Sequence, residues 1–159
     1  KPIYLGIGSN IGNKKRNIEL TKLKLVKNNI NILKTSSYYE SLSWPNSNNP
    51  KFLNVVLCID TYLNPLELIS LCKKIEKELG RTKSPKNAPR KCDIDIIDFR
   101  NKKMKGKLIL PHPRMHNRNF VLLPLFGINK DWKHPTIKQS IKRLILSLSD
   151  SDIRTIKQI

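Results

Sequence analysis

Between Phe52 and Phe99 the sequence spells out a strand, a helix and a second strand, and the helix carries its own punctuation. FLNVVLCIDTY (52–62) is apolar and β-branched, the composition of a buried strand. Asn64 then offers an N-cap side chain and Pro65 suits the first helical position. Glu67 stands three residues after the cap, the spacing of a capping box. Leu68, Cys72, Ile75 and Leu79 recur at helical spacing, and Gly80 fits the position just past a helix end. RTKSPKNAPRK (81–91) is basic and holds two prolines, so it must be a loop. CDIDIIDF (92–99) is a strand again.

The same grammar runs upstream. IYLGIG (3–8) reads as a short strand that stops at Gly8-Ser9-Asn10. Residues 14–27 read as a helix with Ile18, Leu25 and Val26 toward the core. Residues 30–39 form a strand, and SLSWPNSNNP (41–50) is a loop by composition. The first hundred residues therefore run β-α-β-β-α-β. That order predicts an α+β, ferredoxin-like core: an antiparallel sheet with both helices on one face and the other face open to ligands. Downstream come a charged turn (100–107), the segment LILPH, and FVLLPLFGI (120–128), an apolar segment broken by Pro124. A last helix is expected over 136–148. These pieces add to the core, so 1–159 is expected to be one domain.

Charge decides less than it first suggests. Lys and Arg number 31 against 12 for Asp and Glu, a net +19. Such an excess attracts polyanions of any kind. The excess is mostly lysine, and Ile and Asn are plentiful too, which points to a biased genome before it points to a binding function. No run of about 18 apolar residues is present, so no membrane partner is expected. Three scattered cysteines fit buried reduced thiols and a cytoplasmic setting.

Against that background the pair Asp93 and Asp95 stands out. Residues i and i+2 of a strand share a face, so both carboxylates project together while Ile94 and Ile96 enter the core. Two neighbouring carboxylates ionise together only with a cation between them. A pair of hard oxygen ligands on a rigid strand suits Mg2+ whose remaining positions are filled by phosphate oxygens. A solvated acidic face is the plainer reading of an isolated D-x-D. The surroundings favour the metal: Arg81, Lys83, Lys86, Arg90 and Lys91 precede the pair, and Lys107, His112 and Arg118 follow it. Metal with flanking cations is the equipment of phosphoryl transfer. No P-loop is present.

The run KNAPRKCDIDII (86–97) resembles the signature of the 6-hydroxymethyl-7,8-dihydropterin pyrophosphokinase family of folate biosynthesis. YLGIGSN, SSYYE, FLN, IEKELGR, LPH and NRNFVLLPLF resemble further motifs of that family, in the same order along nearly the whole chain. The resemblance implies an enzyme that moves pyrophosphate from ATP to the hydroxymethyl group of the dihydropterin and releases AMP. It implies that Asp93 and Asp95 hold two Mg2+ ions, with Asp95 catalytic. Arg81 and Arg90 are implied to be catalytic cations brought by mobile loops. Glu76, on the polar side of the second helix, is implied to lie near the nucleotide, and Lys83, Arg90, Ile96, Lys107, His112 and Arg118 to bind it. Phe52 and Phe120 are implied to sandwich the pterin. Asn54 would bond its edge, helped by main-chain groups of Ser41, Leu42 and Trp44. A monomer that needs no nucleic acid is expected.

Departures from the family pattern stand out as well. Asn87-Ala88 occupy the place of a Trp-Gly, and Pro113 that of an aromatic residue. Lys83 and Lys107 stand where arginine is usual, and lysine lacks the bidentate fork for phosphate. Asp98 falls where an apolar residue is expected. The rival reading is an RNA-binding module with the same element order, which should carry stacking aromatics on its central strands. IYLGIG and FLNVVLCI do not supply them.

Overall fold

The computed structural model describes residues 1–43, 47–80 and 89–159. Its elements run β1 (Ile3–Ser9), α1 (Lys14–Lys27), β2 (Asn31–Thr35), β3 (Tyr39–Ser41), β4 (Phe52–Asp60), α2 (Pro65–Glu78), β5 (Asp93–Phe99), α3 (Asn119–Ile128), α4 (Ile141–Leu146), α5 (Asp150–Arg154) and β6 (Lys157–Gln158). The sheet order is β5-β1-β4-β3-β6, with β2 also paired to β4, and every pairing is antiparallel. This is the split βαβ arrangement that the element order implies.

The predicted strand over 30–39 is two strands laid end to end along β4. Ser36 bridges the break: its N–H donates to Val56 O, and its hydroxyl accepts the Val56 N–H at 2.9 Å. The Val56 amide and carbonyl thus keep partners where the ladder changes strand.

Helix α2 starts as its sequence dictates. Asn64 accepts the Glu67 N–H at 2.9 Å, and Glu67 accepts the Asn64 N–H at 2.9 Å. Gly80 follows with φ +97, a conformation glycine adopts without strain. In α1 the buried stripe is Ile18, Thr21 and Leu25; Val26 is half exposed, a correction to the expected inward set. Thr21 is tolerated because its hydroxyl donates to Asn17 O at 2.8 Å.

Both faces of the sheet are covered in part. Ile3, Leu5, Ile7, Val55, Leu57, Ile94 and Ile96 pack against α1 and α2. On the other face Tyr4, Val56 and Ile97 pack against Leu122, Leu125, Trp132, Ile141 and Leu144. The second face is therefore open only at one end, not throughout. A register shift in the β1–β5 pairing accompanies this: Leu5 faces Ile96 and Tyr4 faces Asp98, so Ile97 is the extra residue. Both Ile97 and Asp98 then turn to the second face. Asp98, where an apolar residue was expected, is buried and bonded: it accepts from Trp132 Nε1 and from Asn101 N–H, each at 3.0 Å.

Two downstream expectations change. Pro124 lies inside α3, which continues through it; only the N–H bond to the residue four back is forgone. The helix expected over 136–148 shrinks to α4. His134 Nδ1 accepts the N–H groups of Thr136 and Ile137, and Lys138 takes φ +65, so the chain turns there and starts its helix at the Ser140 cap.

Candidate active site

A cavity of about 1080 Å³ occupies the open end of the second face and runs over the end of β5 toward α2. Its floor is made possible by Gly6 and Gly8, which leave β1 without side chains there. One end is charged, with Lys73, Glu76, Arg90, Asp93, Asp95 and Arg118 in its wall. The other is aromatic and amide-lined, with Leu42, Phe52, Asn54 and Phe120.

At the charged end Asp93 and Asp95 share a face of β5, as the strand period requires. Arg90 Nη1 lies 3.3 Å from Asp93 Oδ1. Arg90 Nε is buried with no hydrogen-bond partner among the described residues. The Asp95 carboxyl is pushed up to about 7, first by burial and next by the Asp93 carboxylate. Its side chain is 40% exposed, and that surface forms part of the cavity wall. Two crowded acids with one reluctant to ionise make a donor set that a divalent cation would relieve. No third His, Cys, Asp or Glu joins them in a ligand cluster among the described residues. The pair therefore fits a Mg2+ that takes its other oxygens from phosphate and water.

His112 is neutral. Burial, then Arg118 and Arg114, pull its imidazole down to about 4. Nδ1 accepts the Arg114 N–H at 3.1 Å, so the ring proton sits on Nε2. That nitrogen faces Asp95 Oδ1 at 4.0 Å, a gap wider than a hydrogen bond.

Glu76 was expected on the polar side of α2; it is buried instead. It stands four residues after Cys72, on the apolar stripe. Its Oε2 accepts the Ile94 N–H at 2.7 Å, satisfying the outward amide of an edge strand midway between the two aspartates. Ile96 is in the core, so its side chain is not part of the cavity wall. Lys107 is exposed and stands off the cavity. Arg81, Lys83 and Trp44, with Asn87 and Ala88, lie outside the described residues.

The aromatic end is set by hydrogen bonds. Asn54 Nδ2 donates to Ser41 Oγ (2.9 Å), Tyr39 O (3.1 Å) and Phe52 O (3.4 Å). Carbonyls only accept, so this fixes which end of the amide is which. Oδ1 is left as an acceptor beside Gly8. Ser41 is buried behind Asn54, and Leu42 reaches the wall. The Arg118 guanidinium lies 5.4 Å from the centre of the Phe120 ring and links the two ends.

Several lining residues carry no signal of their own in the sequence. Lys73 and Arg114 add cations to the wall. Ser151 and Asp152 arrive from the far C-terminal α5 and Thr155 from the residue that ends it; Asn119 Nδ2 donates to Asp152 O at 2.7 Å. The paired glycines of β1 were a usable signal: G-x-G in a strand strips one face of side chains.

A ferredoxin-like sheet that sets an acid pair, several cations and an aromatic slot along one cavity is the frame of a phosphoryl-group transferase acting on a flat-ringed small molecule. Comparison narrows the class. Residues 4–130 match the model of the 7,8-dihydro-6-hydroxymethylpterin-pyrophosphokinase (HPPK) family. The chain is 38% identical over 141 residues to the 2-amino-4-hydroxy-6-hydroxymethyldihydropteridine pyrophosphokinase of Aquifex aeolicus, covering 88% of each. It is 40% identical over 127 residues to the protein of that name from Bacillus subtilis, covering 79% of this chain and 76% of the relative. It is also 38% identical over 155 residues to the folic acid synthesis protein fol1 of Pneumocystis carinii, of which it spans 21%. A Plasmodium falciparum HPPK-DHPS variant solved with pterin and p-hydroxybenzoate superposes with a TM-score of 0.75 over all of this chain and 48% of that one. At 17% identity that likeness speaks to the fold alone. This chain belongs to the HPPK family, the pyrophosphokinases of folate synthesis.

Proposed function

We propose that the chain, as one domain over 1–159, transfers pyrophosphate from ATP to the hydroxymethyl group of 6-hydroxymethyl-7,8-dihydropterin. The observation that carries this is a single cavity with the Asp93–Asp95 pair at one end and the Phe52–Asn54–Phe120 slot at the other. The two ends match the two substrates of the family reaction.

The substrate hydroxyl oxygen attacks the β-phosphorus of ATP. The bond between that phosphorus and the oxygen bridging it to the α-phosphorus breaks, and AMP leaves. The hydroxyl proton passes to water. Asp93 and Asp95 would hold two Mg2+ ions; bound there, Mg2+ supplies charge neutralisation to the attacking and leaving oxygens. Arg90 and Arg118, both in the cavity wall, would offer guanidinium N–H donors to phosphate oxygens. His112 stays uncharged and presents Nε2–H as a donor to the same group. Glu76 holds the strand that carries the acids. Phe52 and Phe120 would stack on the pterin, and Asn54 Oδ1 would accept from an N–H on its edge. Leu42 would close the slot, with Ser41 holding Asn54 from behind.

The expected setting is cytoplasmic, with a monomer acting without nucleic acid. The three cysteines form no disulfide and are buried. No described helix is long and apolar enough to cross a membrane. Incubation with Mg-ATP and the hydroxymethyl-dihydropterin is expected to release AMP and the pterin diphosphate. A chain that binds both and makes no AMP would defeat the reading.

A further inference from the structure

Asn10, which the sequence marks only as the end of a strand, is 1% exposed and bonded on every side. Its N–H donates to Arg90 O at 3.0 Å. Its Oδ1 accepts the Arg90 N–H at 2.6 Å. Its Nδ2 points the other way, to Ser43 Oγ at 3.3 Å and Pro50 O at 3.4 Å. Ser43 in turn donates its hydroxyl to Pro50 O.

One amide thus joins two segments that are far apart in sequence. Arg90 lies three residues before Asp93 and pairs with it. Ser43 lines the aromatic end of the cavity, and Pro50 lies two residues before Phe52. The two halves of the amide are not interchangeable: an oxygen holds the charged end and an NH2 holds the aromatic end. We infer that Asn10 is a positioning residue that fixes the acid-bearing end and the heterocycle end of the cavity to each other. The inference rests on the proposed reaction for the identity of the two ligands. It adds a residue that touches neither of them.

The asymmetry gives the test. Asn10→Asp keeps an acceptor for the Arg90 N–H and replaces the donor with an oxygen facing Pro50 O. Asn10→Ala removes both. Binding of the hydroxymethyl-pterin is followed by its fluorescence, and binding of a non-hydrolysable ATP analogue with Mg2+ by calorimetry, in the full chain. Thermal midpoints are measured alongside. Asn10→Asp is expected to weaken the pterin about tenfold and the ATP analogue less than about twofold, the loss appropriate to a buried hydrogen bond left unmade. Asn10→Ala is expected to weaken both about tenfold. Should Asn10→Ala not fold, Asn10→Ser, with a hydroxyl too short to span both partners, replaces it with the same expectation. Equal weakening of both ligands by Asn10→Asp, or none, would overturn the inference while leaving the reaction in place. A wild-type chain that binds neither ligand would overturn both.

Discussion

The two ends of the cavity are built on opposite terms. At the aromatic end the polar groups are already spoken for. Asn54 spends its NH2 on three acceptors and leaves a single oxygen for a ligand. At the charged end the groups are left in tension: Asp95 is pushed up to about 7, and Arg90 Nε is buried without a partner among the described residues. A neutral flat ring gains from a rigid slot, since little ordering remains to be done on binding. A metal–polyphosphate gains from charges not yet neutralised, because it supplies the missing partners itself.

The largest test of this contrast is Asp95→Ala. Turnover should fall by at least about a thousandfold, because the proposed metal ligand is lost. Stability should not fall with it. The Asp95 carboxyl is raised from 3.8 to about 7 in the folded chain. Its contribution to stability is fully present below 3.8 and is lost as pH rises through about 7. At pH 8 the ionised acid is a burden on the unliganded fold, so the alanine variant should melt at the same temperature or slightly higher. A large drop in melting temperature would make Asp95 a structural residue.

Glu76 should come next. Alanine there orphans the Ile94 N–H between the two aspartates, a penalty of about 1–3 kcal/mol. We expect a tenfold or greater loss in kcat and a lower thermal midpoint. Gln keeps an acceptor for that N–H and should restore most of both. If Gln is as poor as Ala, the carboxylate acts on the ligand directly and not through the strand.

The pH dependence of metal binding separates the ends again. If Mg2+ binds the Asp93–Asp95 pair as proposed, it displaces the proton on Asp95, so its affinity in the presence of an ATP analogue should rise about tenfold per unit below pH 7 and level off above it. Pterin binding should not follow that curve. A flat Mg2+ profile would move the metal away from the pair.

What the sequence discloses, and what it hides, follows the reach of the interactions involved. The partners in the capping box of α2 stand three residues apart, and the box forms as its sequence dictates. The i, i+2 placement of Asp93 and Asp95 needs only the strand period. Polarity alone puts Glu76 on the outer side of α2, whereas the spacing, four residues after Cys72, puts it on the buried stripe where it lies. The helix over 136–148 failed for a local reason of another kind: the His134 side chain captures two amides and turns the chain. Asn10 was out of reach altogether, since its partners lie 33, 40 and 80 residues away. No periodicity or cap rule connects such positions. The same is true of α5, which the Asn119–Asp152 bond and the pairing of β6 with β3 bring to the cavity wall.

The smallest effect should belong to Gly8, and it probes the aromatic end alone. A Cβ there would lie 3.2 Å from Phe52 Cδ1 and 3.4 Å from Asn54 Oδ1. Backbone strain is not at issue, because Gly8 is an ordinary strand residue paired with Asn54 and Asp93. Phe52 is half-buried and has room to give by the few tenths of an ångström required. Gly8→Ala should therefore fold normally and tilt the ring off its stacking plane, raising the KM for the pterin about threefold to fivefold, in keeping with part of an aromatic contact. The KM for ATP should stay within about twofold, because the clash is on the far side of β1 from the Glu76 peg. Steady-state kinetics with each substrate varied in turn reads both numbers. If the ATP value moves as far as the pterin value, the two ends are not separately built, and the contrast between a finished slot and an unfinished charge site fails at its simplest point.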